Sequence, residues 1–193
     1  MFKKVLLSVM TLGLLSTSPV LALDPPPGHG QLIDTLRAHG VYVEINPNEV
    51  CDATKTEKSM HGVYTYSERH STPLMGICQD YGGNGEQTIW TENDLDTLRH
   101  ETIHYIQDCI NGSVDGELAP LYDGPGGYSN IEYGIKDIIG VIGPEQAQAI
   151  ITRYEAAGAS PEIIQLELEA FYLAKSQTAE TIATVVDAKC PVQ

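Results

Sequence analysis

The sequence predicts an α+β fold: one domain with a small sheet in its N-terminal half, a long central helix and a helical C-terminal half. Three observations carry that expectation. Strand-like clusters of β-branched and aromatic residues, bounded by Gly, Pro and Asn, all fall before Glu92. From Glu92 onward, apolar residues recur at helical spacing between start and stop signals. The 193 residues suit one domain, and 42% hydrophobic residues can bury a core.

The first segment reads as an address. Lys3 and Lys4 precede an apolar run from Val5 to Leu15, and Val20-Leu21-Ala22 offers a cleavage site. The run is shorter than the ~20 residues of a membrane span. Residues 1–22 are therefore expected to be a signal peptide and 23–193 a single domain, secreted or periplasmic, with no membrane partner after cleavage.

Asp24–Gly28, with three prolines, is expected as a stiff, non-helical lead-in. Leu32, Ile33 and Leu36 predict a helix over 31–39, closed by Gly40. Val41–Ile45, Gly62–Tyr66 and Leu74–Cys78 read as strands, and Thr88–Trp90 as a short further piece. Thr91 with Asp94 opens a helix over Glu92–Ile110, which Asn111-Gly112 ends. Asp115–Asn130, rich in Gly, Pro and Tyr, is expected as a long loop covering a cleft. Helices follow over Ile131–Ile139 and, after Pro144, over Glu145–Ala157. Ser160-Pro161 starts another, running to about Lys175 with Ile163, Ile164, Leu168 and Phe171 inward. The last spans Ala179–Ala188.

Charge narrows the partners. The chain has 11 Lys+Arg against 26 Asp+Glu, a net −15, so nucleic acid and anionic membrane surfaces would be repelled. The acidity favours cationic substrates. Cys51, Cys78, Cys109 and Cys190 make an even number in an exported chain, and none is spaced as CxxC, so two disulfides are expected. Of three pairings, Cys51–Cys78 with Cys109–Cys190 is favoured, since the second staples the C-terminal tail to the end of the central helix.

The chemistry lies in His100-Glu101-Thr102-Ile103-His104, an HExxH motif in the middle of that helix. Spacing i, i+4 puts both imidazoles on one face, where they can bind one metal ion. Glu101 lies about 100° round the helix, beside the ion, where it can act as general base toward an activated water. A tetrahedral zinc with one open position needs a third protein ligand. The extended form HExxHxxGxxH is excluded, because Gln107 and Ile110 stand where it needs Gly and His. The remaining source is a later helix, where Glu167 and Glu169 sit on an otherwise apolar segment. A buried carboxylate calls for a partner, and ligation supplies one.

His100-Glu101-x-x-His104 followed by Glu167-x-x-Ala170 resembles the gluzincin branch of the zinc metallopeptidases. The resemblance covers two helices, about a tenth of the chain, and Phe171 departs from the Asp or Asn often found after that alanine. It implies a compact zincin-like fold and zinc-dependent hydrolysis of peptide or protein substrates. Carried over, His100, His104 and Glu167 are metal ligands and Glu101 is catalytic, with Glu169 the alternative third ligand. It also implies that a strand before the motif helix, Gly62–Tyr66 or Leu74–Cys78, holds extended peptide. Asp108 is a candidate to orient His104, or a solvated surface residue; Tyr133 and Tyr172 are candidate oxyanion donors. His29, His39, His61 and His70 read as ordinary polar positions. The rival expectation is a disulfide-stapled secreted binding or inhibitory protein with a non-catalytic metal site. Oligomeric state is not legible.

Overall fold

The computed structural model describes residues 24–51, 61–67, 72–82, 87–110, 112–121 and 131–192. The expected signal peptide, His70 and the second half of the long loop, residues 122–130, lie outside them.

The chain enters on α1, Pro27–Ala38. The helix starts inside the expected stiff lead-in because a proline at the first helical position lacks only an N–H that would be unpaired anyway. Its end is as expected. Gly40 takes φ +83, and Val41 N–H and Gly40 N–H return to the carbonyls of Leu36 and Arg37, closing a Schellman motif. Leu32, Ile33 and Leu36 are buried beneath it.

Strand β1, Tyr42–Ile45, alternates exposed and buried, with Val43 and Ile45 inward. A four-residue helix, α2 (Asn48–Cys51), follows Pro47 and was not expected. Strands β2, Gly62–Ser67, and β3, Thr72–Ile77, complete a sheet of order β1-β3-β2. β1 runs parallel to β3, and β2 antiparallel to it, so β2 is an edge among the described strands. Thr88–Trp90 is not a strand. Instead the Gln79 side chain accepts from Thr88 N–H at 2.8 Å and donates to Thr88 O at 3.0 Å, making both bonds a neighbouring strand would make.

Helix α3, Glu92–Cys109, opens on a capping box: Asp94 N–H donates to Thr91 Oγ1, and Thr91 N–H to Asp94 Oδ2 at 2.8 Å. Asp94 is fully buried because its other oxygen accepts from Asp80 N–H at 2.8 Å, tying the exit of β3 to the helix start. Such a cap contributes about 1 kcal/mol.

Four further helices follow among the described residues: α4 (Ile131–Ile142), α5 (Pro144–Ala156), α6 (Pro161–Ser176) and α7 (Ala179–Lys189). Ser160 and Thr178 cap α6 and α7 through their hydroxyls. On α6, Ile164 and Leu168 are buried, whereas Ile163 is exposed, one step of about 100° out of the stripe. One apolar cluster joins α1, the sheet, α3, α6 and α7; a second joins α4, α5 and α6. Helix α6 thus belongs to both cores and fixes one against the other.

The two favoured cysteine pairings are present. Cys51 pairs with Cys78 and Cys109 with Cys190, at Cα–Cα distances of 5.4 and 5.1 Å. The second ties the end of α3 to the end of α7 across 81 residues, worth about 4.5 kcal/mol in a chain-entropy treatment. No described helix is long and apolar enough to cross a membrane.

Candidate metal centre

Helix α3 is buried on nearly every side, yet it carries His100, Glu101, His104, Gln107 and Asp108, all buried. Its apolar side, with Leu98, Ile103 and Ile106, enters the main core. The polar residues are met by β2 and α6. Two side chains of α3 register α6 alongside: Arg99 Nε donates to Ala174 O at 2.8 Å and Gln107 Nε2 to Leu166 O at 3.1 Å. Both contacts are eight residues apart on each helix (107 − 99 and 174 − 166), in opposite order, so the helices run antiparallel. Ala170, fully buried at the middle of this contact, has no side chain to hold the helices apart.

That packing brings Glu167 to the two histidines. Its Oε2 lies 3.3 Å from His100 Nε2 and 3.5 Å from His104 Nε2, and the two nitrogens are 3.1 Å apart. Two imidazole nitrogens and a carboxylate oxygen in mutual contact require a cation among them, either a proton or a metal ion. A proton held between imidazole and carboxylate would draw them to about 2.7–2.9 Å. A tetrahedral zinc, with bonds of about 2.0–2.1 Å, sets its ligand atoms about 3.3–3.4 Å apart. The 3.1 Å edge lies within hydrogen-bonding range and the 3.3 and 3.5 Å edges lie near the spacing of zinc ligands, so His100, His104 and Glu167 form a group that could hold one metal ion.

The protonation tendencies agree with a crowded polar centre. Burial resists ionisation of Glu167, but hydrogen bonds to His100 and His104 hold its carboxyl well below the usual range. Burial lowers His100. It lowers His104 too, but contact with Glu167 lifts that ring overall. Tyr154 on α5 donates to Glu167 Oε2 at 2.7 Å, a contact no sequence signal marked.

Glu101 stands beside the triad and not in it. Burial pushes its carboxyl up to about 7, against the pull of His104 and of the Tyr64 backbone N–H. Its seat depends on Gly62 at the start of β2. A Cβ there would lie 2.7 Å from Glu101 Oε1 and 2.5 Å from Thr97 Cγ2. Of the two candidate strands, it is β2 that lines the cleft, through Gly62, Val63 and Tyr64.

The chain matches no protein-family model, no curated protein and no solved structure. The site itself is then the source of functional argument. Glu169 is fully buried behind the triad and bonded to Gln107. Asp108 is neither solvated nor the partner of His104: it accepts from the Tyr64 hydroxyl at 2.5 Å and from Asp115 and Gly116 N–H, joining β2 to the turn after α3. Gln107 meets His104 instead, its Oε1 2.7 Å from Nδ1. Tyr172 packs between the apolar clusters, and the Tyr133 side chain lies outside the described residues. His29 contacts Arg99 and His39 contacts Asp187, as befits ordinary polar positions, while His61 lines the outer part of the cleft. Of the expected covering loop, Leu118 lines the site.

Proposed function

We propose that the protein is an exported zinc-dependent metallopeptidase of the gluzincin type, with a zincin-like fold. The observation that supports it is the grouping of His100 Nε2, His104 Nε2 and Glu167 Oε2 at 3.1 to 3.5 Å from one another, a spacing one zinc ion can bridge, with Glu101 beside it. His100, His104 and Glu167 would hold the ion, and zinc bound there would supply Lewis-acid chemistry, acidifying a water and polarising the scissile carbonyl. The Glu101 carboxylate takes the proton from the attacking water and delivers it to the nitrogen of the leaving amine. Tyr154 holds Glu167 Oε2 in place through its hydroxyl. Strand β2, an edge among the described strands, runs along the cleft where an extended peptide could pair with it. Both disulfides and the N-terminal segment favour a secreted or periplasmic setting.

The test is metal analysis of the exported protein followed by hydrolysis of a mixed peptide library. About one zinc per chain and turnover reversibly stopped by a chelator are expected, with both lost in Glu167→Ala. Zinc without turnover of any peptide would instead favour a binding or inhibitory protein.

The cleft suggests which peptides. Its outer lobe, about 380 Å³, runs from His100 and Glu101 to Arg153 and Lys175. Neither cation forms an ion pair among the described residues, and the lobe's Asp96 is already bound by Arg99. Both cations also answer the negative ends of their own helices, which tempers their pull. Against the acidic surface as a whole, the lobe favours a substrate carboxylate. Peptides bearing Glu on that side should be cleaved about 5-fold faster than Lys counterparts, and the double change Arg153→Glu, Lys175→Glu should invert the ranking.

A further inference from the structure

Gln107 and Glu169 are both fully buried, and neither is a metal ligand or a base in the reaction just described. The Gln107 amide has two N–H groups, and each has an acceptor: Leu166 O at 3.1 Å and Glu169 Oε2 at 2.7 Å. This fixes which way the amide faces. Only Oε1 is left to meet His104 Nδ1 at 2.7 Å. The reversed amide would set its oxygen against two acceptors, a carbonyl and a carboxylate. An oxygen can only accept, so Nδ1 of His104 carries a proton, which leaves Nε2 as the nitrogen available to a metal ion.

The same Glu169 oxygen accepts from Leu121 N–H at 3.1 Å. Ala119 N–H bonds Gln107 O at 2.8 Å, and Leu118, one residue earlier, lines the cleft. One carboxylate therefore touches both the amide that holds the His104 ring and the segment that walls the site.

We infer that Glu169 and Gln107 are positioning residues: Glu169 fixes the Gln107 amide, the amide sets the His104 tautomer for metal binding, and Glu169 also pins residues 118–121 against the cleft. The inference rests on the triad's being a metal site. Its chemistry is that of a ligating imidazole whose second nitrogen is held by an outer partner, here an amide on the same helix backed by a carboxylate on the next. It also gives the buried Glu169 a role that ligation does not.

The test uses the full exported protein and the variants Gln107→Met and Glu169→Gln. Three readouts are needed: zinc affinity by competition with a chromophoric chelator, ring nitrogen shifts of the metal-free protein at pH 9, and amide hydrogen exchange at Ala119 and Leu121. In the parent protein His104 should carry its proton on Nδ1. Gln107→Met should move that proton in part to Nε2 and weaken zinc binding about 10- to 100-fold. Glu169→Gln can still offer one oxygen to both donors, as Oε2 does, but loses the charge that strengthens both bonds, so zinc should weaken less, and exchange at Leu121 should quicken. A folded Gln107→Met with parental tautomer and zinc affinity overturns the inference. If that variant does not fold, unchanged exchange and affinity in Glu169→Gln do so. If the parent protein binds no zinc, the metallopeptidase reading fails by itself; the tautomer and exchange readouts then still decide the positioning roles.

Discussion

Glu101→Gln should retain zinc and lose hydrolysis, by about 10⁴-fold in kcat. The substitution is nearly isosteric. The amide oxygen can still accept from the Tyr64 backbone N–H, so the side chain keeps its seat beside the triad. What it loses is the ability to take up and return a proton, and nothing else among the described residues lining the inner cleft offers a free carboxylate: Glu167 is committed to the imidazoles and Tyr154. Zinc content, measured on the same sample, separates this outcome from collapse of the site. A second readout comes from stability. Burial raises the Glu101 carboxyl from its ordinary 4.5 to about 7, so the folded state holds that proton more tightly than the unfolded chain. Its contribution is therefore fully present below about 4.5 and lost as pH rises through about 7. The Tm of metal-free Glu101→Gln should exceed that of the parent by an amount that grows across this window. Full activity in the variant would remove Glu101 from the mechanism, and a pH-independent Tm difference would show that the carboxylate is not buried as described.

The parts that were legible from sequence are those decided locally. The box of Thr91 and Asp94, the hydroxyl cap of Ser160 and the glycine after α1 each satisfy backbone groups within a few residues, so sequence spacing is enough to find them. The i, i+4 histidines share a face for the same reason. The choice between Glu167 and Glu169 was not local. Two residues apart on a helix is about 200° of rotation, so only one can face α3's histidines, and which one depends on how α6 rolls against α3. The buried Ala170 and the bonds from Arg99 and Gln107 set that roll. Gln107 was visible only as the residue that ruled out the extended zinc motif; its donor role needs the second helix. Asp108 was misplaced because its partners, Tyr64 and the turn at Asp115, are distant in sequence or lie past the helix end. The lead-in prolines misled for a different reason: proline forbids a helix interior but suits its first position. Tyr154 carried no signal at all, since one tyrosine among ten is chemically undistinguished until α5 brings it to Glu167.

Gly62→Ala, a single methyl at a position with no reactive group, should lower kcat about 100-fold while leaving zinc bound. The added Cβ would stand 2.5 Å from Thr97 Cγ2, 2.7 Å from Glu101 Oε1 and 2.9 Å from Glu101 Cγ, all inside contact distance. The strand has little room to withdraw: Gly62 is paired with Ile77 of β3, and Cys78 N–H bonds His61 O at 2.8 Å, next to the disulfide at Cys78. Thr97 is held from beneath, its hydroxyl donating to Asn93 O at 2.8 Å. The part that can yield is the Glu101 side chain, by swinging away from the methyl. A general base displaced by about 1 Å from its proton loses about two orders of magnitude. The ligands face α6 and not β2's first residue, so the triad should be untouched. The diagnostic pair is therefore zinc affinity within about 2-fold of the parent and kcat reduced with KM little changed. If instead zinc affinity falls with activity, the methyl has moved α3 as a whole, and the strand and not the side chain is the rigid partner. If neither changes, Glu101 has another productive position, and its seat against Gly62 is not the one used in turnover.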